Sequence, residues 1–579
     1  MDEAAEERKL LVRDEDGDEE PLLLPQNSLA RTSERIINVK GVKHHTGSWR
    51  ACTYILVTEC FEELAYYGIQ FNLVTFLKTV LHENNVTAAR NYTNWQGTCY
   101  IAPVIGAIIA DSYWGRCLTI VASFTVYLVG MATMSISASF PTCAGPDCVQ
   151  DGSSQSVVFF LGLYTMAIGA GGIKPCVSPF GADQFDDNSP SERQKKDSFF
   201  NWFFFAIYIG SFVSGTVVVW VQDHYGWVVG LWIPTVFIAL AIASFLLGSN
   251  SYRIQKPLGS PIVRVFQVIV AAIRKWNVDL PHDDSLLHEL HENVSMVDGH
   301  KLQHTPVLRF LDKAAVISLD DELSDPWRQC TVTQVEELKA IIGMVPIWAT
   351  GIVFFAVLAQ FSSTFLEQGR TMNKQVGSFA IPAASLASFD AVSVIVWVPV
   401  YDRVLVPVAR RLTGNERGLS ELQRYGTGLL LSVLVMVAAA LVETWRLALV
   451  AGAHGGEAPM SILWQVPQYF LVGASVVFAC VGRTQFFYNE APASMRSLCS
   501  ALALLTVALG SYLSSLVVAA VSWLTTRGGE PGWIPDDLND GHLDRFFWLL
   551  AALSALNLAV FVCCARRYKR RNASRVSTA

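Results

Sequence analysis

The chain has 579 residues, 52% hydrophobic and only 16% charged, with a formal net charge of -7 and a mean hydropathy of +0.35. A soluble chain of this size needs more charge to cover its surface, and the long apolar tracts place it in a membrane, where each span takes about 20 largely apolar residues. The basic residues fall between those tracts and form no nucleic-acid-binding patch. The 12 cysteines show no metal-ligand spacing. No P-loop, zinc-protease helix or hydrolase elbow occurs, so neither ATP-driven pumping nor enzymatic chemistry is expected, and no metal or cofactor is called for.

Residues 1–48 are polar and mixed in charge and read as a disordered tail. Two acidic dileucine patterns lie there, Glu6 with Leu10 and Leu11, and Glu19 with Leu23 and Leu24. They fit either a frayed amphipathic stretch or a signal read by the sorting machinery of an internal membrane such as the vacuole. Spans 1 to 6 are predicted at 52–78, 93–112, 117–138, 156–180, 199–221 and 227–248. Spans 7 to 12 are predicted at 340–365, 379–400, 425–446, 461–487, 497–525 and 545–565. The expected plan is all-α: a six-helix bundle over 49–248, a linker over 249–338, a second bundle over 339–566 and a basic tail over 567–579. Arg253, Arg264, Arg274, Lys313 and Arg328 of the linker, with Arg410, Arg411, Arg566 and Arg567, lie on one side. The positive-inside rule makes that side, and both termini, cytoplasmic. The sequon at Asn91 and the loop with Cys143 and Cys148 then face the other side, where a disulfide forms if the compartment is oxidising.

Span 1 sets Glu59, Glu62 and Glu63 in an otherwise apolar helix. A charged side chain at the bilayer centre costs about 2.5–3.5 kcal/mol on insertion scales, so such acids read as functional by default. Their offsets put them on adjoining parts of one face. Carboxylates so close repel, and the group is expected to hold a proton near neutral pH, which suits proton coupling. The alternative is a structural ion pair between helices.

After span 2 comes Asp111-Ser112-Tyr113-Trp114-Gly115-Arg116, and after span 8, at the matching place, Asp402-Arg403 with Arg410 and Arg411 beyond. An acid at a helix end beside arginines makes charge-assisted bonds to neighbouring helices, a gating or structural role. Its recurrence suggests repeated halves around a central site, as in the major facilitator fold. Span 4 carries Gly169-Ala170-Gly171-Gly172-Ile173-Lys174-Pro175. Its glycines permit either close helix approach or local unwinding. Lys174, a lone cation in that span, either pairs with a span-1 acid or holds a solute carboxylate. Tyr66, Tyr67, Tyr100 and Tyr164 are candidates to line a polar cavity, as are Trp348 and Gln360 of span 7. Thr364 and Gln368 follow Gln360 on the same helical face.

Gly171-Gly172-Ile173-Lys174-Pro175-Cys176-Val177-Ser178, Phe180-Gly181-Ala182-Asp183-Gln184-Phe185-Asp186, Ser198-Phe199-Phe200-Asn201-Trp202-Phe203 and Thr526-Arg527-Gly528-Gly529 are specific enough to suggest a family. From Gly47 to Tyr568 the chain resembles the proton-coupled oligopeptide transporter family, in its plant nitrate/peptide branch, and looks most like that branch's di- and tripeptide carriers. The resemblance implies two six-helix bundles that rock about a mid-membrane site and symport small peptides with protons. It implies that the span-1 acids couple protons and that Lys174 binds the peptide carboxylate.

The chain departs from the pattern in several places. Glu63 stands where the family has Arg or Lys. Val476 stands where it has the span-10 acid that contacts the peptide amine. Tyr208 replaces an asparagine, Arg483 replaces a neutral polar residue, and Leu358 stands where the nitrate-binding histidine belongs. These changes leave open a carrier of another small solute (nitrate, a hormone, an organic acid or a glycoside), uncoupled from protons, or a transport-poor sensor.

Overall fold

The computed structural model describes residues 47–568, apart from 84, 140–151, 187–188, 256, 258, 282–286, 289–303, 318–324, 377–378, 381–387, 415–417, 453–457, 528–531 and 536. The dileucine patterns and the Cys143 and Cys148 pair lie outside the described residues.

Ten helical runs are long and apolar enough to cross a membrane. One of them, Arg90–Ala138, turns at Gly115, whose φ of 73° favours glycine, and so supplies spans 2 and 3. Helix Ser48–Gln70, with its three acids, supplies span 1, giving twelve spans among the described residues. Most predicted spans recur with longer ends. Span 4 is Gly152–Ala182, span 5 runs Pro190–Tyr225, span 9 is Glu421–Gly452 and span 10 is Val466–Glu490. Span 8 differs: its helix starts at Ser388 and runs on to Thr413, later than the predicted 379–400. The tract before it contributes a short antiparallel pair, Gln375–Val376 with Phe379–Ala380. Apolar character alone did not separate strand from helix there.

Apolar side chains gather in three clusters. Trp95, Phe124, Met131 and Phe159 belong to one drawn mainly from spans 1 to 6. Phe354, Phe365, Tyr469 and Phe547 belong to one drawn mainly from spans 7 to 12. The third joins linker helix Pro261–Arg274 to the 3-10 turn Arg309–Ala315 and to the start of span 7, through Val268, Leu311, Ala315 and Leu338. Span 7 begins at Val332 behind a capping box of Thr331 and Gln334.

The two halves echo each other in one irregularity. Asp111 lies in the π-turn Ala110–Trp114 and Asp402 in the π-turn Tyr401–Leu405. Such turns insert a residue into a helix and re-aim the side chains on it.

Candidate functional site

Span 1 brings Glu59, Glu62 and Glu63 together, buried to 5%, 0% and 6% exposure, with carboxylate oxygens within 4.8 Å of one another. Lys174 enters from span 4. Its Nζ is 2.8 Å from Glu63 Oε1 and 3.7 Å from Glu62 Oε2. It also stands 4.1 Å from the centroid of the Tyr66 ring, a cation–π contact. Tyr66 in turn stacks on Trp95 at 5.6 Å and meets Tyr67 edge-on. Three clustered acids thus stand beside one lysine, which contacts two of them, and among the described residues neither oxygen of Glu62 accepts a hydrogen bond.

Glycines put Lys174 there. A Cβ on Gly171 would fall 2.7 Å from the Ala102 side chain of span 2, and one on Gly169 would fall 2.6 Å from the Tyr127 backbone of span 3. The helix runs unbroken through Pro175 and Pro179. Close approach is therefore the use made of these glycines, and the unwound alternative is not.

Tyr67 links this cluster to the second half. It lies within electrostatic reach of Glu63, Lys174 and Tyr100, and also of Asp390. Asp390 belongs to the first turn of the span-8 helix. It is 7% exposed, and its Oδ1 has no hydrogen-bond partner among the described residues. Tyr208 of span 5 and Cys480 of span 10 also lie within electrostatic reach of it. The sequence reading passed over Asp390, although it is the single charged residue of the tract 379–400.

Several predicted residues do not join the cluster. Gln360 is fully buried and donates to Ser514 Oγ at 2.7 Å and to the Ala356 carbonyl. It holds span 7 to span 11, and Thr364 bonds to Gln360 itself at 3.2 Å. Trp348 donates to the Leu502 carbonyl at 2.6 Å, again between spans 7 and 11. Gln368 serves Glu443 at 2.8 Å. Tyr164 lies ten residues before Lys174 on one helix, about 15 Å along its axis. The amide of Asn91 lies inside helix Asn85–Ile109 and donates to Glu83 at 2.9 Å. Arg483 packs over Phe355 at 4.5 Å and donates to the Ala503 carbonyl and to Thr506. Among the described residues it has no carboxylate partner. Val476 is buried in the apolar core of the second half.

The POT family matches the chain over residues 117–534. The chain is 54% identical to Protein NRT1/ PTR FAMILY 8.3 of Arabidopsis thaliana, over 92% of this chain and 94% of that protein. The chain belongs to the POT family. It is 52% identical to Protein NRT1/ PTR FAMILY 8.1 of the same plant, over 92% and 95% of the two chains. In three dimensions this POT-family transporter is similar to the crystal structure described as the POT family transporter PepTSo. There the TM-score is 0.59 and the identity 22%, over 90% of this chain and 98% of that one. A structure described as a POT family transporter in complex with 5-aminolevulinic acid gives a TM-score of 0.57 at 14% identity, over 90% and 97% of the two chains. The structural likenesses establish an all-α membrane fold of the POT type, and membership of the POT family makes the chain a membrane transporter and not an enzyme.

At the linker end the halves of the transporter are tied together. Asp183, at the end of span 4, bonds Arg116 of its own half and also takes Arg496 at 2.8 Å and the Tyr488 hydroxyl at 2.6 Å from the other. Asp111 pairs with Arg116 at 3.6 Å and accepts the backbone N–H of Leu498 at 3.0 Å. Arg116 also donates to Ser497 at 2.9 Å. On the other flank Asp402 accepts from Ser198 at 2.9 Å and Asn201 at 2.7 Å. Arg403 lies over the Trp202 ring at 5.7 Å. A cleft of about 320 Å³ opens next to this contact, lined by Ser198, Asn201, Asp402, Glu421 and Arg424.

Proposed function

We propose that this POT-family chain is a secondary active transporter that symports di- and tripeptides with protons by alternating access. One observation carries the reading: three buried acids of span 1 cluster beside Lys174, and the Glu62 carboxylate has no hydrogen bond among the described residues. A buried acid in excess of its counter-charges is stable only if it takes a proton or a cationic partner. Glu59, Glu62 and Glu63 therefore carry the proton. Protonation weakens their hold on Lys174, which then binds the solute carboxylate, with Tyr66, Tyr67 and Tyr100 around it. Asp390 receives the amino group, in the half where Val476 supplies no acid. The proton gradient drives the cycle and no cofactor is needed. The Asp111–Arg116–Asp183 and Asp402 contacts close the linker end and must break for that end to open.

Uptake of labelled dipeptide by proteoliposomes, at an outside pH of about 5.5 and about 7.5, tests the coupling. Faster uptake at the lower pH is expected, and equal flux at both would overturn the proton-linked step. A second reading rests on Arg483, a buried guanidinium with no carboxylate partner among the described residues. On that reading the solute is an organic anion, and unlabelled dipeptides fail to compete with it. The basic linker and C-terminal residues support cytoplasmic termini. The acidic dileucine patterns support delivery by sorting machinery to the vacuolar membrane, ahead of the plasma membrane. A fluorescent fusion carrying Leu23→Ala and Leu24→Ala separates these destinations.

A further inference from the structure

Linker helix Pro261–Arg274 is apolar on two sides. One side, with Val268, Ala271 and Ala272, is buried against Leu311, Ala315 and Leu338. The other leaves Phe266 and Ile273 at 55% and 63% exposure, with Trp276, just past the helix end, at 66%. Residues seven apart share a helix face, so Phe266 and Ile273 form one stripe that Trp276 extends.

The adjoining 3-10 turn adds to the stripe. Phe310, also exposed, and Lys313 lie on one side of it, because residues three apart eclipse in this helix type. Lys313 donates to the Trp276 carbonyl and stands 5.7 Å from its ring centroid. Arg274 donates to the carbonyl of exposed Trp327 at 3.4 Å.

Charge here lies both inside and outside: Asp279 is exposed, and Asp325 pairs with Arg328 at 3.8 Å at the surface. Asp312 and Glu336 turn inward onto Lys339, at 2.6 and 2.8 Å. Arg274, Arg309 and Arg328 stay at the surface. What faces outward is an apolar, tryptophan-bearing stripe edged with cations. Segments of that composition lie in the plane of a bilayer, with rings at headgroup level and basic heads on anionic groups. The linker is also held at both ends by spans, Trp227–Leu247 and Val332–Leu358, which confines it to the membrane surface.

We propose that the Phe266–Ile273–Trp276 face of the linker docks on the membrane leaflet and binds anionic phospholipid headgroups through Arg274 and Lys313. This inference is independent of what the protein transports.

A photo-crosslinking residue at Ile273 tests it, in the full chain reconstituted in nanodiscs of mixed phosphatidylcholine and phosphatidylserine. After irradiation, mass spectrometry identifies what is attached. The expected adducts are lipid, with phosphatidylserine enriched several-fold over its share of the disc. The pair Arg274→Glu and Lys313→Glu, the two cations assigned to the headgroups, should return that ratio to the disc composition. An adduct to the chain's own N-terminal tail or to a second copy would overturn the proposal. So would the absence of any adduct, or a lipid ratio equal to the disc composition in the unaltered chain.

Discussion

Each half of the transporter buries a cluster of charge, and the two clusters are built on opposite rules. In the second half Glu443 and Arg446 are both fully buried. Arg446 holds Glu443 through two contacts at 2.6 and 2.9 Å, Gln368 adds a third, and Asn539 and the Leu538 carbonyl take the remaining guanidinium donors. Charges match one to one and no polar atom of the pair is left unbonded. In the first half three acids lie beside one lysine, and among the described residues Glu62 has no hydrogen-bond donor. A saturated pair holds one arrangement, whereas an unsaturated one has something left to bind. The largest effect is expected where the saturated pair is broken. Arg446→Met strands Glu443, and breaking a buried pair costs about 3–5 kcal/mol. Thermal unfolding in detergent should show a large drop in midpoint, with the pH profile of any residual uptake unchanged.

Glu62→Gln asks the opposite of the first half. It removes the charge that Lys174 meets only at 3.7 Å and leaves Lys174 with Glu63 at 2.8 Å. The unfolding midpoint should hold or rise. Protonation favours the transporting form, so uptake in the unaltered chain is expected to rise as pH falls, and the variant should lose that rise. Even a single pKa unit of lost linkage corresponds to roughly tenfold, or about 1.4 kcal/mol. If Glu62→Gln instead melts like Arg446→Met with its pH response intact, the two clusters are of one kind and the proposed proton role fails.

The contrast also separates what was legible in the sequence from what was not. Spans were legible because a bilayer demands long apolar tracts, and the acids of span 1 because they violate that demand. Lys174 was legible for the same reason, while the glycines around it left close helix approach and local unwinding both open until the contacts with Ala102 and Tyr127 decided for the first. Arg446 reads as a loop cation from hydropathy, although Glu443 three residues earlier is the partner that lets it be buried. Gln360 and Trp348 show the limit of periodicity, which gives a shared face but not the neighbour that the face meets. Both turn out to serve span 11. In the predicted span 379–400 Asp390 is a mid-tract acid, as conspicuous as those of span 1, whereas in the helix from Ser388 it is a first-turn acid, a place where acids are ordinary. Only its burial with an unbonded oxygen distinguishes it.

That distinction is testable at a smaller scale. A hydrogen bond to a charged group contributes about 1.5–3 kcal/mol. Asp390→Asn should therefore raise the apparent KM for a dipeptide with a free amino group by roughly ten- to a hundredfold. An N-acetylated dipeptide, which lacks the cation, should be transported equally well by both forms. If both peptides suffer alike, Asp390 is a first-turn structural acid and the amine is held elsewhere.

The smallest effect concerns the cation–π contact made by the unsaturated cluster. Lys174 lies over the Tyr66 ring, and the Tyr66 hydroxyl itself has no hydrogen-bond partner among the described residues. The ring face, not the hydroxyl, should therefore steady the ammonium when the acids release it. Tyr66→Phe keeps the face and should transport like the unaltered chain. Tyr66→Leu removes a contact of about 0.5–2 kcal/mol, which predicts a two- to roughly thirtyfold rise in KM with little change in kcat. Equal losses in both variants would mean that the hydroxyl is used in a step this conformation does not display. No loss in either would make Tyr66 packing for Trp95, and would leave the cluster's excess acid as the only feature that sets it apart from Glu443 and Arg446.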